Sequence, residues 1–331
     1  MKNKRSTDKR HQKAWGLLAW LVAAALLISG CNGGQSSKVY KVGVLSGLDG
    51  FADITDGFKA GMTELGYVEG QNIVYDVQKT NVDMAAYENV LQKFVADKVD
   101  LIFVFPTEAT LVAKEVTQGT NIPVLFAATF TEVPNIIDNV RVPGDHITGV
   151  RYPGPYLAAR SLEILQEIAP QTKRVFVPYM RDYPSIPGQL EVLRPAAKAA
   201  GITLIEVPAA DAAELQADLE ARAKSTDLGF DAILTIYEPL ALSPDVISMF
   251  TEFSAKHKVL YAFDVFVLWI DNIQSGKLAA PLADKIIKGT PAGTIPVISP
   301  EGFLQINYKA AQEFGLTVPE GLLKQADKII R

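Results

Sequence analysis

From residue 39 onward, short runs rich in Val, Ile, Leu and Phe alternate with longer segments whose apolar residues recur three or four positions apart. This alternation predicts repeated strand–helix units and parallel sheets. The first run covers 39–45. The loop Ser46-Gly47-Leu48-Asp49-Gly50 follows, and then a helix with Phe58, Met62 and Leu65 on its apolar face. Gly66 closes that helix at a position that favours a left-handed residue. Further strands are expected at 73–77, 100–105 and 123–126, with helices at about 84–97 and 107–118. An extended piece at 147–150 runs into Tyr152-Pro153-Gly154-Pro155, a break that reads as a connection between lobes. A second series comprises strands at 174–177, 203–207, 232–236 and 259–263, with helices at about 188–200, 211–224 and 244–256.

Two similar series predict two Rossmann-like lobes with parallel sheets joined by a multi-strand hinge, although no sequence repeat links them. The end of the chain is less regular. A helix at 275–288 is closed by Gly289, and Pro291-Ala292-Gly293 reads as another crossing. Strands at 295–298 and 303–306 and helices at 308–314 and 322–330 complete the expectation. If the helix at 275–288 packs on the first lobe, both lobes are discontinuous and hinge about their crossings. The expected layout is 39–151 with 264–290 for one lobe and 152–263 with 291–331 for the other.

The N-terminal segment has a different character. Lys2, Lys4, Arg5, Lys9, Arg10 and Lys13 form a basic leader, 14–28 is apolar, and Leu27-Ile28-Ser29-Gly30-Cys31 ends it with the chain's only cysteine. This is the order of a secretory signal over residues 1–30. The apolar stretch is short against the roughly 20 residues of a membrane span. The run resembles the lipobox of bacterial lipoproteins, which implies cleavage before Cys31 and a diacylglycerol on its thiol. The alternative is an uncleaved anchor with an incidental cysteine. Either way the rest of the chain is expected outside the cytoplasm at a membrane face. Residues 31–38 then form a Gly/Ser-rich flexible tether.

Residues 1–30 hold six Lys/Arg and one acidic residue, so the remainder carries 26 basic and 36 acidic groups, a formal net charge of −10. No basic cluster follows residue 31, which argues against nucleic-acid binding. About 300 residues exceed what one core usually serves. A lone cysteine leaves no internal disulfide, and His11, His146 and His257 lack metal-ligand spacing. No metal or cofactor is expected. An enzyme on a nucleotide-binding fold is disfavoured: Gly43-Val44-Leu45-Ser46-Gly47 and Leu48-Asp49-Gly50 give neither G-x-G-x-x-G nor a P-loop, and Ser46 lacks a G-x-S-x-G context.

The ordered set of motifs resembles the tryptophan/phenylalanine-type ABC transporter substrate-binding lipoproteins. Its most specific pieces are the run Gly57-Phe58-Lys59-Ala60-Gly61-Met62-Thr63-Glu64-Leu65-Gly66-Tyr67 with Val68-Glu69-Gly70-Gln71-Asn72, and Lys98-Val99-Asp100-Leu101-Ile102. Ile122-Pro123-Val124-Leu125-Phe126, Ile147-Thr148-Gly149-Val150, Lys285-Ile286-Ile287-Lys288-Gly289 and the tail from Lys309-Ala310-Ala311 to Gly315-Leu316-Thr317-Val318-Pro319 extend it. The resemblance implies a type I periplasmic-binding-protein fold, no catalysis, and a small-molecule ligand passed to an ABC permease. Three cleft loops depart from the family pattern: Thr129-Phe130-Thr131-Glu132-Val133-Pro134, Pro178-Tyr179-Met180-Arg181-Asp182-Tyr183-Pro184 and Tyr237-Glu238-Pro239. An aromatic amino-acid ligand therefore does not transfer directly.

Ligands of such sheets bind beyond the carboxyl ends of the strands. Candidates on the first lobe are Leu48, Asp49 and Phe51, then Thr107 and Glu108, then Thr129. Asp49 and Asp53 equally suit plain helix-start chemistry, and Phe51 equally suits the lobe's own core. Thr107 reads first as an N-cap; the resemblance places a ligand-contacting Thr there. On the facing lobe and its crossings the candidates are Tyr152, Tyr179, Arg181, Tyr183, Tyr237, Glu238, Asp264 and Phe266. Arg181 has two readings, a fork for a ligand carboxylate or a rim residue paired with Asp182 or Glu238. The tyrosines with Phe266 favour an amphipathic solute such as an amino acid. A ligand-sensing co-receptor would carry the same cleft.

Overall fold

The computed structural model describes residues 38–331; the expected signal segment, Cys31 and the tether up to residue 37 lie outside the described residues. Five parallel strands form the first sheet in the order β2-β1-β3-β4-β5: β1 (Tyr40–Ser46), β2 (Ile73–Lys79), β3 (Leu101–Phe105), β4 (Val124–Thr129) and β5 (Ile147–Arg151). The central strands β3 and β4 are buried along their whole length, as parallel strands covered on both faces require. Helices α1 (Asp53–Glu64), α2 (Met84–Ala96) and α3 (Thr107–Val116) connect the first four strands. Asp83 caps α2 by accepting from Ala86 N at 3.0 Å.

After β5 the chain crosses through 152–153 into α4 (Gly154–Ile168), which packs on α5 (Ile186–Ala199). The second sheet is also parallel, in the order β7-β6-β8-β9: β6 (Arg174–Met180), β7 (Thr203–Ala209), β8 (Ala232–Ile233) and β9 (Leu260–Tyr261). Helices α6 (Ala212–Arg222) and α7 (Pro244–His257) join its strands. β8 and β9 are shorter than the pattern predicts. One further ladder bond, Leu234 N to Phe176 O at 2.9 Å, extends β8 before the chain bends away. At 262 the expected strand gives way to a short helix, α8 (Ala262–Val265).

A third, three-stranded sheet joins β10 (Phe266–Ile270), β11 (Gly302–Asn307) and β12 (Lys328–Ile330), antiparallel then parallel. Neither β10 nor β12 is expected from the pattern. The helix expected at 322–330 is only α11 (Glu320–Gln325). Asp327 stops it by clamping β11: its N–H donates to Leu304 O and its carboxylate accepts from Leu304 N, both at 2.8 Å. α10 (Tyr308–Glu313) follows β11.

Helix α9 (Asn272–Ile287) packs on α1 in the first lobe. Their backbones nearly touch. A Cβ at Gly57 would lie 2.0 Å from Ile273 O, and one at Gly276 2.1 Å from Ile54 O. The segment expected as strand 295–298 makes a single bridge, Ile298 to Val150. Thr148 Oγ1 donates to Ile295 O at 2.7 Å and Gly144 N to Gly293 O at 3.1 Å. Residues 291–298 therefore stay along the first sheet, and the return crossing comes at 299–301.

Each sheet has one face with its own apolar cluster: Leu45, Tyr87, Phe94 and Phe126 on the first, Phe176, Phe230, Phe250 and Tyr261 on the second. The other faces share one large cluster that runs through Phe130, Tyr152 and Leu157. The lobes meet through it.

Candidate functional site

Loops at the carboxyl ends of both sheets come together. Glu132, after β4, lies against Gly188 of α5, where a Cβ would sit 3.1 Å from its own Cβ. On the first lobe, Gly47 N donates to Phe105 O and Tyr87 Oη donates to Gly47 O at 2.6 Å, which fixes the loop after β1. From that loop Leu48 is half-buried and Asp49 exposed at a short helical turn. Phe51, half-buried, turns into the pocket described below.

Thr107 is the first residue of α3; Pro106, without a side-chain donor or acceptor, takes the cap position expected of Thr107. The Thr107 hydroxyl accepts from Phe130 N at 3.0 Å instead, tying α3 to the loop after β4. A bulge in β4 between Phe126 and Thr129 precedes Thr129, which is fully buried. Its Oγ1 donates to Ala127 O at 2.9 Å and lies 2.8 Å from Thr110 Oγ1. Both predicted threonine hydroxyls thus already have internal partners. Glu108 differs. It is only 7% exposed, and neither carboxylate oxygen has a hydrogen bond of good geometry.

On the second lobe the predicted cluster divides. Tyr179 Oη donates to Glu206 at 3.2 Å, toward β7, and burial followed by that carboxylate raises its pKa. Arg181 is exposed and donates to Glu214 at 2.6 Å and Pro208 O at 3.2 Å, at the start of α6. Tyr183 instead turns inward and is buried. Burial raises its pKa most, then the charge of Glu108 from the opposite lobe and a loose hydrogen bond to it, then Glu238. Glu108 also bears on Tyr87, where burial is again the larger cause of a raised pKa.

Tyr237 is held by the buried Gln189, whose Nε2 donates to Tyr237 O at 2.8 Å while its Oε1 accepts from Tyr237 N at 3.0 Å. The Tyr237 hydroxyl donates to Leu268 O at 2.6 Å in β10. Glu238, 3% exposed, accepts from Leu240 N at 2.7 Å and Ala241 N at 2.8 Å. Burial nevertheless pushes its carboxyl up to about 7 against the pull of those N–H groups. Asp264 faces α7, accepting from Thr251 Oγ1 at 2.7 Å, and burial raises its pKa as well. Among the described residues Glu108 and Glu238 are the only buried charged side chains.

A cavity of about 290 Å³ lies beside the crossings. Phe51, Tyr152, Tyr237, Phe263, Phe266 and Trp269 supply its aromatic walls, with Asn272 and Thr235 among the few polar groups. Tyr152 stands between the lobes, its ring 6.2 Å from Phe51, 5.4 Å from Phe130 and 5.8 Å from Tyr237. Of the predicted residues, Phe51, Tyr152, Tyr237 and Phe266 share this cavity, while Tyr183 gathers with Glu108 and Glu238 from opposite lobes outside its wall. Asp49, Tyr179, Arg181 and Asp264 point elsewhere, and Leu48 is not part of the cavity wall. Sequence reasoning missed Gln189, Phe263, Trp269 and Asn272. Reading 266–270 as a strand would have exposed Trp269 as a half-buried position between buried Leu268 and Ile270. No group of three or more His, Cys, Asp or Glu among the described residues is placed to hold a metal ion.

Residues 41–330 match the family described as ABC transporter substrate binding protein. The chain belongs to this family. It is 23% identical over 246 residues to a tyrosine-binding protein of Clostridioides difficile (strain R20291), covering 73% of this chain and 70% of that protein. A solved structure of an ABC domain in complex with L-Trp from Streptococcus pneumonia is similar with a TM-score of 0.76 at 23% identity, covering 88% of this chain and 100% of that one. A ligand-free, open substrate-binding protein with adhesive properties from Clostridium difficile gives a TM-score of 0.68 at 20% identity, covering 88% and 99%. These likenesses show the fold, that of type I periplasmic-binding proteins. The substrate-binding protein is therefore not an enzyme, and its family works outside the cytoplasm. No helix among its described residues is long and apolar enough to cross a membrane.

Proposed function

We propose that this chain is the solute-capturing lipoprotein of an ABC importer, anchored to a bilayer by Cys31, and that it takes an amino acid or related amphipathic solute between its lobes. One observation carries the reading: both lobes wall one aromatic cavity, and the only two buried carboxylates among the described residues lie one on each lobe. Phe51 and Tyr152 reach the cavity from the first lobe and the first crossing, Tyr237 from the second lobe, and Phe266 from the second crossing. A solute that touches all of them stabilises the closed arrangement over an open one. The tyrosine-binding and L-Trp-bound relatives support an aromatic body for it. The permease is the partner that receives the solute, and the crossings at 152–153, 266–271 and 299–301 are where the lobes hinge.

A thermal-shift survey of the mature protein against amino acids, amines, sugars and nucleosides tests this. Selective native-state binding at 100 times Kd adds about 2.7 kcal/mol, so one solute class should raise Tm by several degrees. A flat response to the whole panel contradicts the proposal.

A further inference from the structure

We infer that the captured solute is an arylalkylamine, a flat apolar body bearing a protonated amine, with Glu108 as the group that receives the ammonium and no need for a carboxylate on the ligand. This rests on the solute-capture reading above and narrows its ligand.

Three observations converge. First, Glu108 is more than nine-tenths buried at the junction of the lobes, beside Tyr87 of its own lobe and the Tyr183 hydroxyl of the other, with no well-formed hydrogen bond to either oxygen. A buried carboxylate with no counter-charge and no strong hydrogen bond is costly, and a ligand ammonium supplies both. Second, no cation is built in to balance it. Glu108 and Glu238 are the only buried charged side chains among the described residues, both acidic, and Arg181 is engaged by Glu214 at the surface. Third, the usual seats for a ligand carboxylate are occupied. The first turn of α3 already carries Glu108 itself, and the hydroxyls of Thr107 and Thr129 are bound within the lobe. A zwitterion would bring its anion toward two acids; a plain amine does not. Tyr183 faces both Glu108 and Glu238, and Tyr237, which precedes Glu238, belongs to the aromatic wall of the 290 Å³ cavity that fits the ring.

Calorimetric titration of the mature protein with tyramine, L-tyrosine and 3-(4-hydroxyphenyl)propionate separates the terms, because the three share a ring and differ in charge. Tyramine should bind at least as tightly as tyrosine, and the propionate should give no measurable heat. Glu108→Gln should weaken tyramine at least tenfold, while its ligand-free Tm stays level or rises because an unpaired buried charge is gone. Tyrosine binding more than tenfold tighter than tyramine, binding of the propionate, or unchanged tyramine affinity in Glu108→Gln overturns the inference. If none of the three binds while the broad survey finds a sugar or nucleoside, the amine falls and solute capture stands. If nothing binds in either experiment, both fall.

Discussion

Glu238 sits in the loop after β8 with two backbone N–H groups donating to it, yet burial holds its carboxyl near 7 rather than 4.5. The folded value lies above the unfolded one, so the folded chain holds this proton more tightly. The stability contributed by the group is complete below about pH 4.5 and is lost as pH rises through 7. At about 1.4 kcal/mol per pKa unit the loss is on the order of 3 kcal/mol. Urea denaturation at stepped pH should show the wild type losing stability between pH 5 and 8 relative to Glu238→Gln; parallel curves for the two proteins would refute the assignment. At this scale the sequence was half legible. Position after a strand was enough to single out Glu108, Tyr183, Tyr237 and Glu238. It did not separate them from Tyr179, near the end of β6, and Arg181, just beyond it. These two meet Glu206 and Glu214, and the choice of partner is made by tertiary packing.

Helices α1 and α9 show how a single residue type sets an element's place. Gly57 and Gly276 let their backbones approach to within what a Cβ would fill, and this contact binds a late helix to the first lobe. Overpacking such a site costs about 1–3 kcal/mol. Gly57→Ala should lose that much in chemical denaturation, while Gly50→Ala, with open space around it, should stay within about 0.5 kcal/mol. Equal effects would mean the close approach is not a constraint. The βα alternation made the two sheets and most helices legible. β10 and β12 were not, because each is short and exists through pairing with β11, a contact no local period encodes. Gln189, buried in α5, was invisible for the same reason: its task is to hold a backbone 48 residues away.

Across the whole molecule, three crossings join two parallel sheets, and the aromatic cavity stands beside two of them. Tyr152 belongs to the first crossing and 266–270 to the second, so a ligand there contacts the segments about which the lobes are proposed to hinge. The anchoring proposed for Cys31 belongs at this scale too. In a detergent-partitioned bacterial extract the full-length chain should follow the membrane fraction, and Cys31→Ser should leave it; equal partitioning of both would remove the lipid from the account. Capture itself is tested most directly by mass spectrometry of what the freshly purified mature protein releases on denaturation. The account predicts one small aromatic amine, close to one molecule per chain. Release of nothing beyond what a Tyr152→Ala/Tyr237→Ala variant gives would contradict it.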